Sequence, residues 1–222
     1  GTSSPLPNAP LTYRATAIGH LFTRTSWETG ATWLSFSAGS YNQSHAHQDQ
    51  GSFTLFGGGD WLAVTENIWS HSGIQQGTEV HNLVRFVKNG TTVRQRSNTV
   101  STMNVLQQGP GPGEVHVTGD MTAAYQAGSG VNSWQRRLDF TGSSLLVTDQ
   151  FSVTSGTQAI FQVNTPVQPV ITGNTAKAGN LTVRVLQPAG ATLTAVNWRN
   201  VDSDFLWGWK LEVRGSASNT GF

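Results

Sequence analysis

The 222-residue sequence contains no cysteine, which excludes disulfides, thiolate metal sites and a cysteine nucleophile. Charge is scarce: 11% of residues are Asp, Glu, Lys or Arg, and the formal net charge is +1. A balance this close to neutral excludes a strongly basic nucleic-acid surface and an acidic tail. Long apolar runs are missing, so no segment approaches the roughly 20 residues of a membrane-spanning helix. Helical periodicity is missing too, over any stretch of ten or more residues. The chain starts at Gly1, not Met, and shows no leader. Three prolines fall in GTSSPLPNAP, residues 1–10, which reads as a linker. We expect either that a leader has been removed or that this is one piece of a longer precursor.

What is present is glycine (25), tryptophan (eight) and phenylalanine (ten), amid abundant Thr, Ser, Asn and Gln. The aromatics argue against disorder. The uncharged polar surface suits a secreted or periplasmic protein that faces carbohydrate. The hydrophobic period is two almost throughout. Ala31–Ala38, Gly51–Phe56, Trp61–Thr65 and Asn82–Lys88 each suit a half-buried strand, as do Trp134–Phe140, Leu145–Val153, Ile160–Val163, Leu181–Leu186, Ala191–Trp198 and Phe205–Val213. Asn89-Gly90 is a hairpin signal, and Gly142-Ser143-Ser144 marks a second. Short strands at this spacing predict an all-β fold, an antiparallel β-sandwich over residues 11–222 with little or no helix. Gln107–Glu114 (QQGPGPGE) is a loop that either divides the domain or connects strands within it.

Chemistry concentrates in Ser44-His45-Ala46-His47-Gln48-Asp49. On an extended strand His45, His47 and Asp49 share one face. Two imidazoles side by side suit a metal site, and either suits acid–base work; a surface strand with two solvated histidines is the plainer alternative. His81, in Glu79-Val80-His81-Asn82, is expected to open a strand beside the first. His20 and His116 stand apart from these and read as structural or solvated.

The stretch HAHQDQGSFTLFGGGDWLAV, followed by TEVHNLV and preceded by FTRTSWETGATWLSFSAG, resembles the C-terminal β-sandwich of heparinase II/III-like polysaccharide lyases. The match is specific over about residues 20–90. It implies cleavage of a uronic-acid polysaccharide by β-elimination, with His45 as the cleft histidine. His47 and His81 match ligands of a structural zinc. The acidic ligand of the family falls at Thr65, and only the adjacent Glu66 offers a carboxylate there. The family's helical α/α toroid, which supplies a catalytic tyrosine, has no counterpart in these residues. The resemblance therefore implies an acidic polysaccharide as substrate and a helical toroid as partner. Tyr41, Asn42, Gln43, Trp69 and His71 are candidates to line sugar subsites. Two other readings compete: a non-catalytic carbohydrate-binding or structural sandwich, and a cupin-type metal enzyme suggested by Gly39 before His45-X-His47.

Overall fold

The computed structural model describes residues 9–42, 46–64, 74 and 76–222. Among these residues, nineteen strands and three single-turn 3-10 segments make up the regular structure. In chain order the first strands are β1 (Thr12–Ala15), β2 (His20–Arg24), β3 (Trp33–Ser37), β4 (Ser40–Tyr41), β5 (Phe53–Gly57) and β6 (Asp60–Ala63). Next come β7 (Val84–Lys88), β8 (Thr91–Val93), β9 (Thr99–Val100), β10 (Thr102–Gln108), β11 (Val115–Asp120) and β12 (Val131–Phe140). The chain continues through β13 (Leu145–Val153), β14 (Thr157–Thr165), β15 (Val170–Thr172), β16 (Thr175–Ala178), β17 (Leu181–Arg184), β18 (Thr192–Asn197) and β19 (Trp209–Arg214).

Three large antiparallel sheets result, ordered β1-β2-β3-β5-β6, β10-β11-β12-β13 and β18-β19-β14-β7-β8. A three-stranded ribbon β15-β16-β17 and the pair β4-β9 complete the fold, an all-β sandwich. Alternation decides which face goes inward. In β12, Trp134, Arg136, Leu138 and Phe140 are buried while Gln135 and Arg137 are exposed, the period-two pattern of a half-buried strand. One core unites the sheets, drawing Leu34 and Phe36 from the first, Val117 and Leu138 from the second, and Phe86 and Val213 from the third. Among the described residues no helix is long and apolar enough to cross a membrane.

The turns follow their chemistry. Asn89 (φ 51°) and Gly90 (φ 80°) join β7 to β8, the left-handed pair that a two-residue hairpin needs. Gly142 (φ 86°) begins the β12–β13 turn, closed by a bond from the Thr141 N–H to the Ser144 carbonyl. The Gly/Pro-rich loop after β10 joins it to β11, its antiparallel neighbour in the same sheet. Both β10 and β11 lay outside the expected strands, and so did the ribbon strands β15 and β16.

Candidate functional site: a histidine pair on a buried polar frame

The His-X-His-X-Asp segment is a loop where its residues are described, in contrast to the extended strand expected from alternation. Among the described residues between Tyr41 and Phe53 there is no strand. Three interactions turn the backbone out of a ladder. The Gln48 N–H donates to the Gln76 carbonyl at 2.8 Å, and the Ser52 N–H donates back to the Asp49 carbonyl at 2.8 Å. Gln50 is clamped by Gln95, whose side-chain oxygen accepts from the Gln50 N–H (2.9 Å) and whose amide donates to the Gln50 carbonyl (2.8 Å). Gly51 then takes φ 88°. A Cβ there would meet the Trp134 ring at 2.3 Å, so the motif glycine is required by close approach as well as by backbone angle.

His81 also departs from expectation. It does not open a strand; it follows the 3-10 turn Thr78–Val80, and β7 begins three residues later at Val84. His81 is fully buried. The structure brings His47 and His81 together, with ring centroids 5.2 Å apart and planes inclined by 49°. Burial, assisted by the neighbouring His47, lowers the His81 pKa to about 3. His81 is therefore a neutral imidazole across ordinary pH, the form that donates a lone pair to a cation.

Asp49 lies within electrostatic reach of both His47 and His20. Burial raises its pKa, and the two histidines oppose that rise. His20, which showed no company in the sequence, thus belongs to the same neighbourhood. Tyr41 sits in β4, paired with Thr99 of β9, and Asn42 is exposed just beyond it. His45, Gln43, Thr65, Glu66, Trp69 and His71 lie outside the described residues.

Beneath the pair is a frame that sequence reading did not single out. Arg136 and Asp149 face each other across β12 and β13 with side chains fully buried. Two charge-assisted bonds join them, Arg136 Nε to Asp149 Oδ1 and Nη2 to Oδ2, both 2.8 Å. The Trp134 indole N–H adds a third bond to Asp149 Oδ1 at 2.7 Å. Arg136 Nη1 donates onward to the carbonyls of Gly51 (2.7 Å) and Asn82 (2.9 Å). One guanidinium thus holds the carbonyl two residues after Asp49 and the carbonyl next to His81.

Asn82 fastens the same joint from the other side. Its amide nitrogen donates to the carbonyls of Phe53 (2.7 Å) and Val64 (2.8 Å), and its oxygen accepts from the Asn164 N–H (2.7 Å). The Asn82 N–H reaches the Ser52 hydroxyl at 3.1 Å. Gln162 donates to the carbonyls of Thr78 and His81 at 2.8 and 2.7 Å. The two histidine-bearing segments are therefore cross-bonded to each other and to β12, β13 and β14. A buried polar network satisfied this fully fixes one geometry.

As metal chemistry, two imidazoles supply half of the four ligands that zinc commonly takes. Among the described residues no third histidine, cysteine or carboxylate joins them in a ligand cluster.

An antiparallel sandwich with a paired-histidine centre on a buried arginine frame is the class of protein that fold and site define. The model of the family "Heparinase II/III-like, C-terminal" matches residues 20–217. The chain belongs to that family, and so to a family of polysaccharide lyases. Among solved structures, a heparinase III superposes with a TM-score of 0.74 at 14% identity, covering 100% of this chain and 35% of that one. Heparan sulfate lyase HepC from Pedobacter heparinus gives 0.70 at 16% identity, covering 97% of this chain and 36% of that one. At such identities the likeness shows the fold. The chain spans about a third of the length of these structures. No match was found among curated proteins.

Proposed function

We propose that the chain is the β-sandwich part of a lyase that cleaves a uronic-acid polysaccharide by β-elimination. The observation that carries the reading is the family match over residues 20–217. The resemblance of HAHQDQGSF and TEVHN to the family motifs assigns the residues.

In β-elimination a base removes the proton on C5, the electron pair moves into the ring, and the C4–O4 bond breaks. The C5 proton becomes acidic enough only when the adjacent carboxylate is neutralised, so the site must stabilise an enolate-like dianion. His45 takes the neutralising or base role. A tyrosine from a helical toroid, carried by another segment of the same precursor or by a partner chain, protonates the departing O4. His47 and His81 would hold a structural zinc, completed by Glu66 or by a non-protein ligand at the place of Thr65. Bound there, the ion would supply fixed positive charge that ties the two segments together. His81, neutral down to about pH 3, fits that role by its chemistry. The chain would work outside the cytoplasm, where acidic polysaccharides are met.

Elimination leaves an unsaturated uronate end with strong ultraviolet absorbance. The assembled lyase should generate that absorbance on heparan sulfate or another uronate polymer, and His45→Ala should lower the rate by about 10²–10⁴-fold. Full activity in His45→Ala, with no loss on any uronate polymer, would overturn the assignment. Elemental analysis should find zinc in the wild type and lose it in His47→Ala and His81→Ala.

A further inference from the structure

The outer face of the first sheet carries a row of aromatic rings that the site does not use. The register Arg24↔Trp33, Trp33↔Phe56 and Phe56↔Trp61 lines up one residue from each of β2, β3, β5 and β6. Trp33 and Phe56 are 5.2 Å apart between centroids, and Phe56 and Trp61 are 5.2 Å apart. Trp33 remains 42% exposed and Trp61 50%. Rings this large at the surface, in one line, are unusual for residues whose burial is worth so much.

Arg24 ends the row. Its guanidinium carbon lies 4.2 Å from the centre of the Trp27 ring and 4.8 Å from that of Trp33. Its Nε donates to the Ser26 carbonyl at 2.5 Å. Among the described residues no carboxylate pairs with it and its terminal amino groups make no hydrogen bond. A planar cation is thus held in place by two indoles and one backbone bond, with its outer donors directed to no partner among the described residues. That is a preorganised fork for a carboxylate or sulfate.

The row also connects to the candidate site. On β2, His20, Phe22 and Arg24 alternate onto this same face, so His20 and Arg24 stand roughly 14 Å apart. His20 and Phe22 rings are 6.0 Å apart, and His20, like His47, lies within electrostatic reach of Asp49.

The geometry points to a second saccharide-binding surface on this chain: an acidic sugar seats its anionic group on Arg24 and stacks its ring faces on Trp33 and Trp61. The strand direction then leads the polymer from this row toward the histidines. The inference rests on the proposed action on an acidic polysaccharide. Its argument is charge complementarity, a cation without an acidic partner among the described residues set among stacking faces, together with continuity along β2 to the candidate site.

The test titrates the 222-residue chain with heparan sulfate oligosaccharides, alginate oligosaccharides and neutral dextran, following tryptophan fluorescence and calorimetry. We expect binding to at least one of the acidic series and far weaker binding to dextran. Arg24→Gln should weaken the acidic interaction roughly tenfold and reduce its salt dependence. Trp61→Ala should weaken it by about three- to tenfold. Val170→Ala, on the ribbon β15-β16-β17, should leave that binding unchanged. Trp61 sits at an exposed edge, so its variant reports binding even where Arg24→Gln fails to fold.

Acidic oligosaccharide binding that is unchanged by both Arg24→Gln and Trp61→Ala would overturn the surface. So would equal affinity for dextran, or no binding at all by the wild type. Loss of association with a helical chain, with saccharide affinity intact, would make the row a protein-docking face and overturn it as well. The proposed lyase activity fails separately. An assembled protein that eliminates no uronate polymer, while its Arg24 and Trp61 variants still lose saccharide affinity, sinks the activity and upholds the surface.

Discussion

The frame beneath His47 and His81 and the row on the first sheet are built from opposite materials. The frame buries charge: Arg136 and Asp149 are fully enclosed, and every donor the frame uses has an acceptor at hydrogen-bonding distance. The row exposes apolar rings, and its one cation has no acidic partner among the described residues. Burying an ion pair is an expensive way to gain stability, since well-packed apolar residues of the same volume often do as well. Exposing tryptophans gains none. The frame makes sense as a device that fixes where two segments lie, and the row as a surface kept open for a ligand.

The largest effect expected from breaking this contrast is in the frame. Arg136→Met leaves Asp149 buried without its counter-charge and frees the carbonyls of Gly51 and Asn82. Urea unfolding should show a loss of about 3–5 kcal/mol. The double variant Arg136→Met/Asp149→Leu should recover much of that stability without restoring the zinc binding proposed for His47 and His81. A double variant as unstable as the single one would contradict the reading of the pair as a positioning device.

A second charged cluster sharpens the comparison through pH. On the third sheet Glu212 accepts from Arg85 (2.6 Å) and Arg214 (2.6 Å) and lies 3.0 Å from Lys210. Burial alone would raise the Glu212 pKa, but Lys210 and Arg85 outweigh it and bring it down to about 2. The folded pKa is depressed, so the unfolded chain binds the proton more readily. The stabilisation is whole above about pH 4.5 and is lost as pH falls toward 2, at up to about 1.4 kcal/mol per pH unit. Acid titration of unfolding should show this slope, and Glu212→Gln should flatten it.

The smallest effect on stability is expected in the row. Trp61→Ala should shift unfolding by no more than about 0.5 kcal/mol, while saccharide affinity falls. A large loss of stability would place Trp61 among the packing residues.

Much of this architecture is legible in the sequence, because a half-buried strand writes its period directly. Leu145–Val153 was expected at the bounds it has, and Asn89-Gly90 turns where two left-handed residues were anticipated. The same period also carried a signal that went unread: Arg136 is in phase with Trp134, Leu138 and Phe140, which marks it as an inward-facing cation. The histidine loop misled because its alternation is that of a strand. Side-chain bonds from Gln95 and the positive φ of Gly51 replace the ladder there, and neither is visible as a pattern. His20 lies twenty-nine positions before Asp49, and the aromatic row joins four strands. Such neighbours exist only once the register is set.

Steady-state elimination kinetics of the proposed assembled lyase test the division most directly, with His45→Ala and Trp61→Ala measured side by side on one uronate polymer. The account predicts that His45→Ala lowers kcat by about 10²–10⁴-fold with a modest change in KM. Trp61→Ala should raise KM roughly three- to tenfold and leave kcat within about twofold, because its contact is equally strong in the ground and transition states. The reverse split, with kcat lost at Trp61 and only KM altered at His45, would contradict it.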